Sequence, residues 1–181
     1  TAHTFVPLRQ GVALEATLLE ATPHTLVVQP WCVRLRVIGL YFDSNKCFLL
    51  PTARAAMQHA AEIYAKYPDS LLLVVGHTDA TGDAPTNDPL SVERADATIA
   101  FLRDDVGAWL AWYGSDKPFE KRWGWREDRA MIAALDDAHE RPLDEPEVVW
   151  FQRTRGLTVD GWAGPETRTA LIAEYMSLDG T

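Results

Sequence analysis

Cysteine is scarce in this chain, with two among 181 residues, which excludes a small scaffold stapled by several disulfides. Cys32 and Cys47 flank an apparent strand from about Leu35 to Phe42. Extended residues advance ~3.3 Å each, so that strand would hold its flanks more than ~20 Å apart. A bridge needs Cα atoms within ~7 Å. The pair is therefore expected to stay unbridged, and the cysteines say nothing of compartment. Long apolar runs are missing too: the longest strong one, Leu71 to Val75, falls far short of the ~20 residues of a membrane-crossing helix. Positive charge is in deficit, 17 Lys and Arg against 26 Asp and Glu, and the basic residues are scattered. Nucleic acid is thereby excluded as a partner, because polyphosphate binding draws on cations clustered on one face. Any anionic group must be caught by a locally placed cation.

What is present is ordinary globular material: 47% hydrophobic residues, seven Trp and no low-complexity tract. That suffices for at least one sizeable core. Residues 1 to 30 give a mixed signal, with Val12 to Glu20 ambiguous and Thr25 to Gln29 a short strand ended by Pro30. Leu35 to Phe42 reads as a strand buried on two sides. Pro51 opens a helix whose stripe is Ala53, Met57, Ala60 and Tyr64, ended by Pro68-Asp69. Leu71 to Val75, closed by Gly76, has the pattern of a central strand covered on both faces. Asp88-Pro89 then supplies the cap and first position of a helix with a predicted core face of Val92, Ala95, Ile99, Leu102 and Val106. Strand, helix, strand, loop, helix is an α/β (α+β) layout, with both helices covering one sheet. Beyond an aromatic-rich stretch, short helices over Glu127–Leu135, Glu147–Arg155 and Pro165–Tyr175, joined by an acidic linker and Gly-rich turns, predict a small all-α domain. The expected domains are residues 1–120 and 121–181. The chain begins at Thr1, which fits an upstream segment removed from it.

The chemistry concentrates between Gly76 and Ala95. Asp79 lies just past the expected buried strand, where open α/β sheets place ligand-binding loops. Arg94 follows in the second turn of the next predicted helix. A carboxylate and a guanidinium brought together by loop closure form a receptor for a zwitterion: Asp79 takes an ammonium, and Arg94 a carboxylate through paired N–H bonds. On spacing alone, a mutual Asp79–Arg94 ion pair is the plainer reading, and His77 is plainer as a structural histidine. No second His or Cys stands at ligand spacing from His77, so no metal is expected.

The run Val75-Gly76-His77-Thr78-Asp79, with Gly82, Asn87, Leu90-Ser91 and Arg94-Ala95, resembles the OmpA-like peptidoglycan-associating domain over about residues 35–106. The resemblance implies an OmpA-like sheet covered by helices. It also implies that Asp79 and Arg94 hold the amine and carboxylate of meso-diaminopimelate in the peptide stem, with Thr78, Asn87 and Leu90 lining the pocket. That family closes its sheet with third and fourth strands, and neither is evident here; Val106 to Tyr113 reads as helix. Two arrangements stay open. Either a strand from residues 12–33 completes the sheet, or a closing strand follows Thr181 in a longer parent. The second, which is preferred, makes the helical segment an insertion.

Phe151-Gln152, Gly156 to Gly161, Gly164-Pro165, Thr167-Arg168 and Ala170-Leu171 are similar to the small three-helix peptidoglycan-binding domain, over about residues 122–178. Most of these residues are architecture. Trp150 and Trp162 could stack on sugar rings, but core packing is the expected fate of both. Catalysis is not expected, and neither is a cofactor. His3, His24, His59, His77 and His139 show no ligand pairing, and neither cysteine has surroundings that would lower its thiol pKa. The leading expectation is a non-catalytic protein of the periplasm or outer-membrane envelope that anchors an assembly to peptidoglycan. The alternatives are the targeting portion of a wall hydrolase or secreted effector with its catalytic domain elsewhere, and a scaffold whose ligand site is unused. Asp79→Ala or Arg94→Ala should remove most wall binding while changing stability by less than ~1 kcal/mol, as surface-site substitutions do.

Overall fold

The computed structural model describes residues 16–22, 26–30, 35–36, 41–67, 70–78, 83–136 and 141–180. The chain divides into two compact units, Thr1–Arg36 and Val37–Thr181. The first contains an antiparallel pair, β1 (Ala16–Ala21) and β2 (Leu26–Pro30), with Ala16 opposite Pro30 and Ala21 opposite Leu26. A register shift between Leu18 and Glu20 marks an irregularity of the β-bulge type. Pro30 ends the second strand as the sequence predicts, since it cannot donate to the ladder.

The second unit is helical among its described residues. A single 3₁₀ turn, Pro51–Ala53, leads into α1 (Arg54–Lys66), and α2 spans Ala84–Phe101. Then come α3 (Val106–Leu110), a 3₁₀ turn over Ala111–Tyr113, α4 (Trp125–Asp136), α5 (Glu147–Thr154) and α6 (Pro165–Met176). The segment from Val106 to Tyr113 is thus helical, as its residues suggest, and the three C-terminal helices lie where they were expected.

The α/β expectation is met only in part. The OmpA-like sheet is not seen among the described residues, where strand is confined to β1 and β2. The middle of the predicted strand Leu35–Phe42, residues 37–40, falls outside the described residues. Leu71–Val75, expected to be a covered central strand, pairs with no other described strand, and Leu71 and Leu73 are 92% and 84% exposed. An unbroken apolar run states a preference for burial, but a strand also needs a bonded neighbour, which the run itself cannot supply.

Two features of α2 differ as well. It starts at Ala84, not Pro89: the Asp83 side chain caps it by accepting from Thr86 N at 3.2 Å, and Pro85 sits in the first turn. Pro89 lies inside the helix. It forgoes only the bond to residue 85 near the helix start. The buried face is also rotated from the predicted one. Leu90, Ala97, Ala100 and Phe101 are buried, whereas Val92 is exposed. Steps of four, three and four along Leu90, Arg94, Ala97 and Phe101 put Arg94 on the inward face.

The core is aromatic. Phe48 lies 5.5 Å from Trp109, 5.2 Å from Trp123 and 5.9 Å from Tyr175, centroid to centroid. Buried Trp109 donates from Nε1 to Ala97 O at 2.9 Å, and Tyr175 Oη donates to Leu49 O at 2.9 Å. Both polar tips are therefore satisfied inside the core, as burial of such rings requires. Residues on both sides of position 120 contribute, including Met131, Ile132, Trp150, Phe151, Leu171 and Ile172. Cys47 is a buried free thiol whose pKa is pushed up to about 12, chiefly by burial and then by Glu93. A thiol so protonated is inert, which fits a packing role.

Candidate functional site

Arg94 is the pivot of the loop-and-helix region. Its half-buried side chain points under two backbone segments. Nε donates to Lys46 O at 3.0 Å, Nη2 to Asp43 O at 3.1 Å and Nη1 to His77 O at 3.5 Å, the last a long bond. The guanidinium carbon stands 5.0 Å from the Phe42 ring centroid, within cation–π range. Carbonyls on three N–H groups and a ring nearby fix the plane of the guanidinium. A guanidinium so fixed presents a carboxylate with one orientation rather than many.

The approach of residues 76–78 to α2 depends on Gly76. A Cβ built there would stand 2.0 Å from Ser91 O, 3.0 Å from Ser91 C and 3.2 Å from Ala95 N. Only glycine lets the backbone come this close, and this closeness is what brings the His77 carbonyl to Arg94. Ser91 Oγ donates to Asp88 O at 2.8 Å within the helix. Around the pivot, Lys121 Nζ bonds both Glu93 carboxylate oxygens at 2.7 and 2.8 Å. Lys46 Nζ donates to Arg122 O and lies 3.7 Å from Glu127.

Of the five residues expected at the site, Asp79 lies outside the described residues. Thr78 and Asn87 are half-buried, Asn87 in the first turn of α2. Leu90 is buried, at 5% exposure, on the same helix face as Arg94. Arg94 falls in the third turn of α2 rather than the second, because the helix starts earlier than predicted. Sequence reasoning missed Phe42, Asp43 and Lys46, which grip Arg94 through a ring and two carbonyls. Backbone acceptors leave no residue-type signal; only the aromatic Phe42 before a polar turn hinted at a partner.

The grip alters one expectation. Arg94→Ala removes more than a ligand contact, since hydrogen bonds to a charged group contribute about 1.5–3 kcal/mol. Its stability cost should exceed the ~1 kcal/mol of an ordinary surface substitution.

The C-terminal helices hold two further polar constellations. The Gln152 side chain is 1% exposed and fully engaged. Its Nε2 donates to Asp160 Oδ1 at 2.8 Å, Trp162 O at 3.0 Å and Thr167 Oγ1 at 3.1 Å. Its Oε1 accepts from Asp160 N at 3.1 Å and Gly161 N at 2.9 Å. One amide thus organises the turn before α6, where Gly161 has φ +74°. The second is the buried carboxylate of Asp128, which accepts from Tyr113 Oη at 2.8 Å and from Arg168 Nη2 at 3.0 Å. Burial raises the Asp128 pKa, and the bonds from Arg168 and Tyr113 oppose that rise. Trp150 is buried as expected, but Trp162 is not: it is 65% exposed. No group of His, Cys, Asp and Glu suited to a metal occurs among the described residues. No helix there is long and apolar enough to cross a membrane.

The geometry defines a helical unit in which the segment around His77 is pinned to α2 through an arginine. Residues 41–121 match the OmpA family, and this segment is an OmpA family domain. Among curated relatives, the chain is similar to the peptidoglycan-associated lipoprotein of Rhizobium meliloti, 29% identical over 129 residues, covering 69% of this chain and 61% of that protein. It is also similar to outer membrane protein Omp38 of Acinetobacter baumannii, 31% identical over 90 residues, covering 49% of this chain and 25% of that protein. A third relative is the probable lipoprotein YiaD of Escherichia coli, 34% identical over 61 residues, or 34% of this chain and 28% of that protein. The chain therefore spans about a quarter of the length of Omp38 and about three fifths of the lipoprotein. No solved structure matches the chain.

Proposed function

We propose that this chain binds peptidoglycan without cleaving it and anchors an envelope assembly to the cell wall, in the periplasm or at the outer membrane. Its ligand is the diaminopimelate head group of the peptide stem. Asp79 takes the ammonium, Arg94 takes the carboxylate, and Thr78, Asn87 and Leu90 shape the pocket. The helical segment after residue 121 is a second wall-binding module. The observation that carries the reading is the fixed guanidinium of Arg94, tied at 3.5 Å to the His77 carbonyl two residues before Asp79, inside an OmpA family segment. The name of the Rhizobium relative, a peptidoglycan-associated lipoprotein, supports peptidoglycan as the partner.

Co-sedimentation with purified sacculi, followed by an assay for released fragments, tests this. Wild-type chain should pellet and release nothing. Asp79→Ala and Arg94→Lys, each confirmed folded by circular dichroism, should bind at least about tenfold more weakly, the factor that ~1.4 kcal/mol represents. Lysine keeps the charge but loses the planar fork. Wild-type affinity in both variants would refute the assignment, and soluble fragments would refute the non-catalytic reading.

A further inference from the structure

Lys46 is engaged at both of its ends. Its carbonyl accepts from Arg94 Nε at 3.0 Å, one of the three bonds that set the plane of the guanidinium. Its ammonium reaches the residues that open α4, where Nζ donates to Arg122 O and stands 3.7 Å from Glu127 Oε1. The Lys46 and Glu127 side chains are 20% and 7% exposed, so salt screens their attraction little. Glu127 is itself fixed, because Oε2 accepts from Gly124 N at 2.7 Å.

The turn that carries the carbonyl depends on this anchor. Among the described residues its own backbone closes with one bond, Lys46 N to Asp43 O at 3.2 Å, and Asn45 has a left-handed φ of +54°. Such a conformation persists where the surroundings hold it. Beyond the turn the chain is anchored by buried Cys47 and Phe48. Lys46 is anchored by its ammonium. A second tie flanks the first: Lys121 Nζ bonds both oxygens of Glu93, the residue before Arg94 on α2, at 2.7 and 2.8 Å. Residues 121–127 thus hold α2 at one point and the 43–46 turn at another, and Arg94 spans the two. An ion pair serving stability alone would need no link to Arg94. Here the paired lysine supplies the Arg94 acceptor.

We propose that Lys46 is a positioning residue for Arg94, and that the start of α4 governs the selectivity of the peptide site through it. The Lys46–Glu127 contact holds the carbonyl in place, and the carbonyl holds the guanidinium fork in the plane a side-chain carboxylate requires. The inference rests on Arg94 being the carboxylate-binding residue, as proposed above. Loss of the contact frees the fork to turn, which spoils paired N–H bonding while leaving the positive charge.

The test uses Glu127→Gln in the whole chain, since glutamine keeps an acceptor for Gly124 N and loses the charge that attracts Lys46. The first readout needs no ligand. Hydrogen exchange at the Arg94 Nε–H, followed in ¹H–¹⁵N spectra, should be at least about tenfold faster than in wild type, because the bond to Lys46 O opens more often. The second is calorimetric titration with stem peptides ending in meso-diaminopimelate or in lysine. The preference for the first should fall at least about threefold, with affinity for the lysine peptide within about twofold of wild type. A purely structural loss would weaken both peptides alike. Lys46→Met should act in the same way, and Glu127→Gln carries the test if that variant does not fold. Arg168→Met breaks the neighbouring buried pair of α4 and touches neither Lys46 nor Arg94, so it should leave the preference unchanged. Unchanged exchange at Arg94 in Glu127→Gln, equal weakening of the two peptides, or the same loss of preference in Arg168→Met would each overturn the proposal. If wild type shows no preference between the peptides while exchange at Arg94 still responds, the diaminopimelate reading fails and the positioning role stands.

Discussion

Arg168→Met is expected to cost about 3–5 kcal/mol of stability, the range for breaking one side of a buried ion pair. Arg168 bonds Asp128 through Nη2 at 3.0 Å and through Nε at 3.2 and 3.3 Å, and its guanidinium lies 4.1 Å from the Tyr113 centroid. The Asp128 side chain is only 3% exposed, so water cannot replace the lost partner. Burial already raises this carboxyl's pKa, and the arginine bond is the larger of the influences that lower it. Removing the arginine lets the folded pKa climb further. A carboxyl with a raised folded pKa contributes stability below its unfolded value and loses it as pH rises through the folded value. The deficit of the variant should therefore be small near about pH 4 and deepen toward neutrality. Urea denaturation at several pH values reads this directly. A deficit independent of pH would show that Asp128 does not depend on Arg168 for its charge.

Gly76→Ala is expected to strike stability and wall binding together. The added methyl would meet the Ser91 carbonyl oxygen at 2.0 Å, and that oxygen belongs to a helix backbone that cannot step aside. Overpacking of this kind costs about 1–3 kcal/mol, occasionally more. Residues 76–78 must then withdraw from α2, separating the His77 carbonyl from Arg94 and spoiling the loop that leads to Asp79. Gly124→Ala is the control, because nothing lies within 4 Å of its added Cβ. It should stay within ~0.5 kcal/mol of wild type. Denaturation midpoints and sacculus pelleting check both variants. Gly76→Ala at wild-type stability and binding would mean that the close approach is not needed.

Helix starts were partly legible, because proline at a first turn is a local signal. Pro51 and Pro165 both mark real entries. The same signal misled at α2, where Asp83 with Pro85 and Asp88 with Pro89 offer two starts within one turn and a half. The earlier one prevails, since Asp83 has a main-chain donor to accept from and Pro89 sacrifices only one bond. The buried face of α2 was misread because Ala97 and Ala100 weigh little in a periodicity that Val92 and Ile99 dominate. Trp162 stands outside the core because Gly164, two residues on, lets the ring lie back along the main chain. The motif around Arg94 was legible as a set of residue types. Its second role, tying the carbonyls of Asp43, Lys46 and His77, was not, because every residue carries a carbonyl.

The most direct measurement is calorimetric binding of a soluble stem peptide ending in meso-diaminopimelate, set against the same peptide with lysine in its place. The lysine peptide keeps the ammonium and lacks the side-chain carboxylate assigned to Arg94. The account predicts binding of the first peptide and at least about tenfold weaker binding of the second, with that preference lost in Arg94→Lys. Equal affinity for the two peptides, or a preference that survives Arg94→Lys, would contradict it.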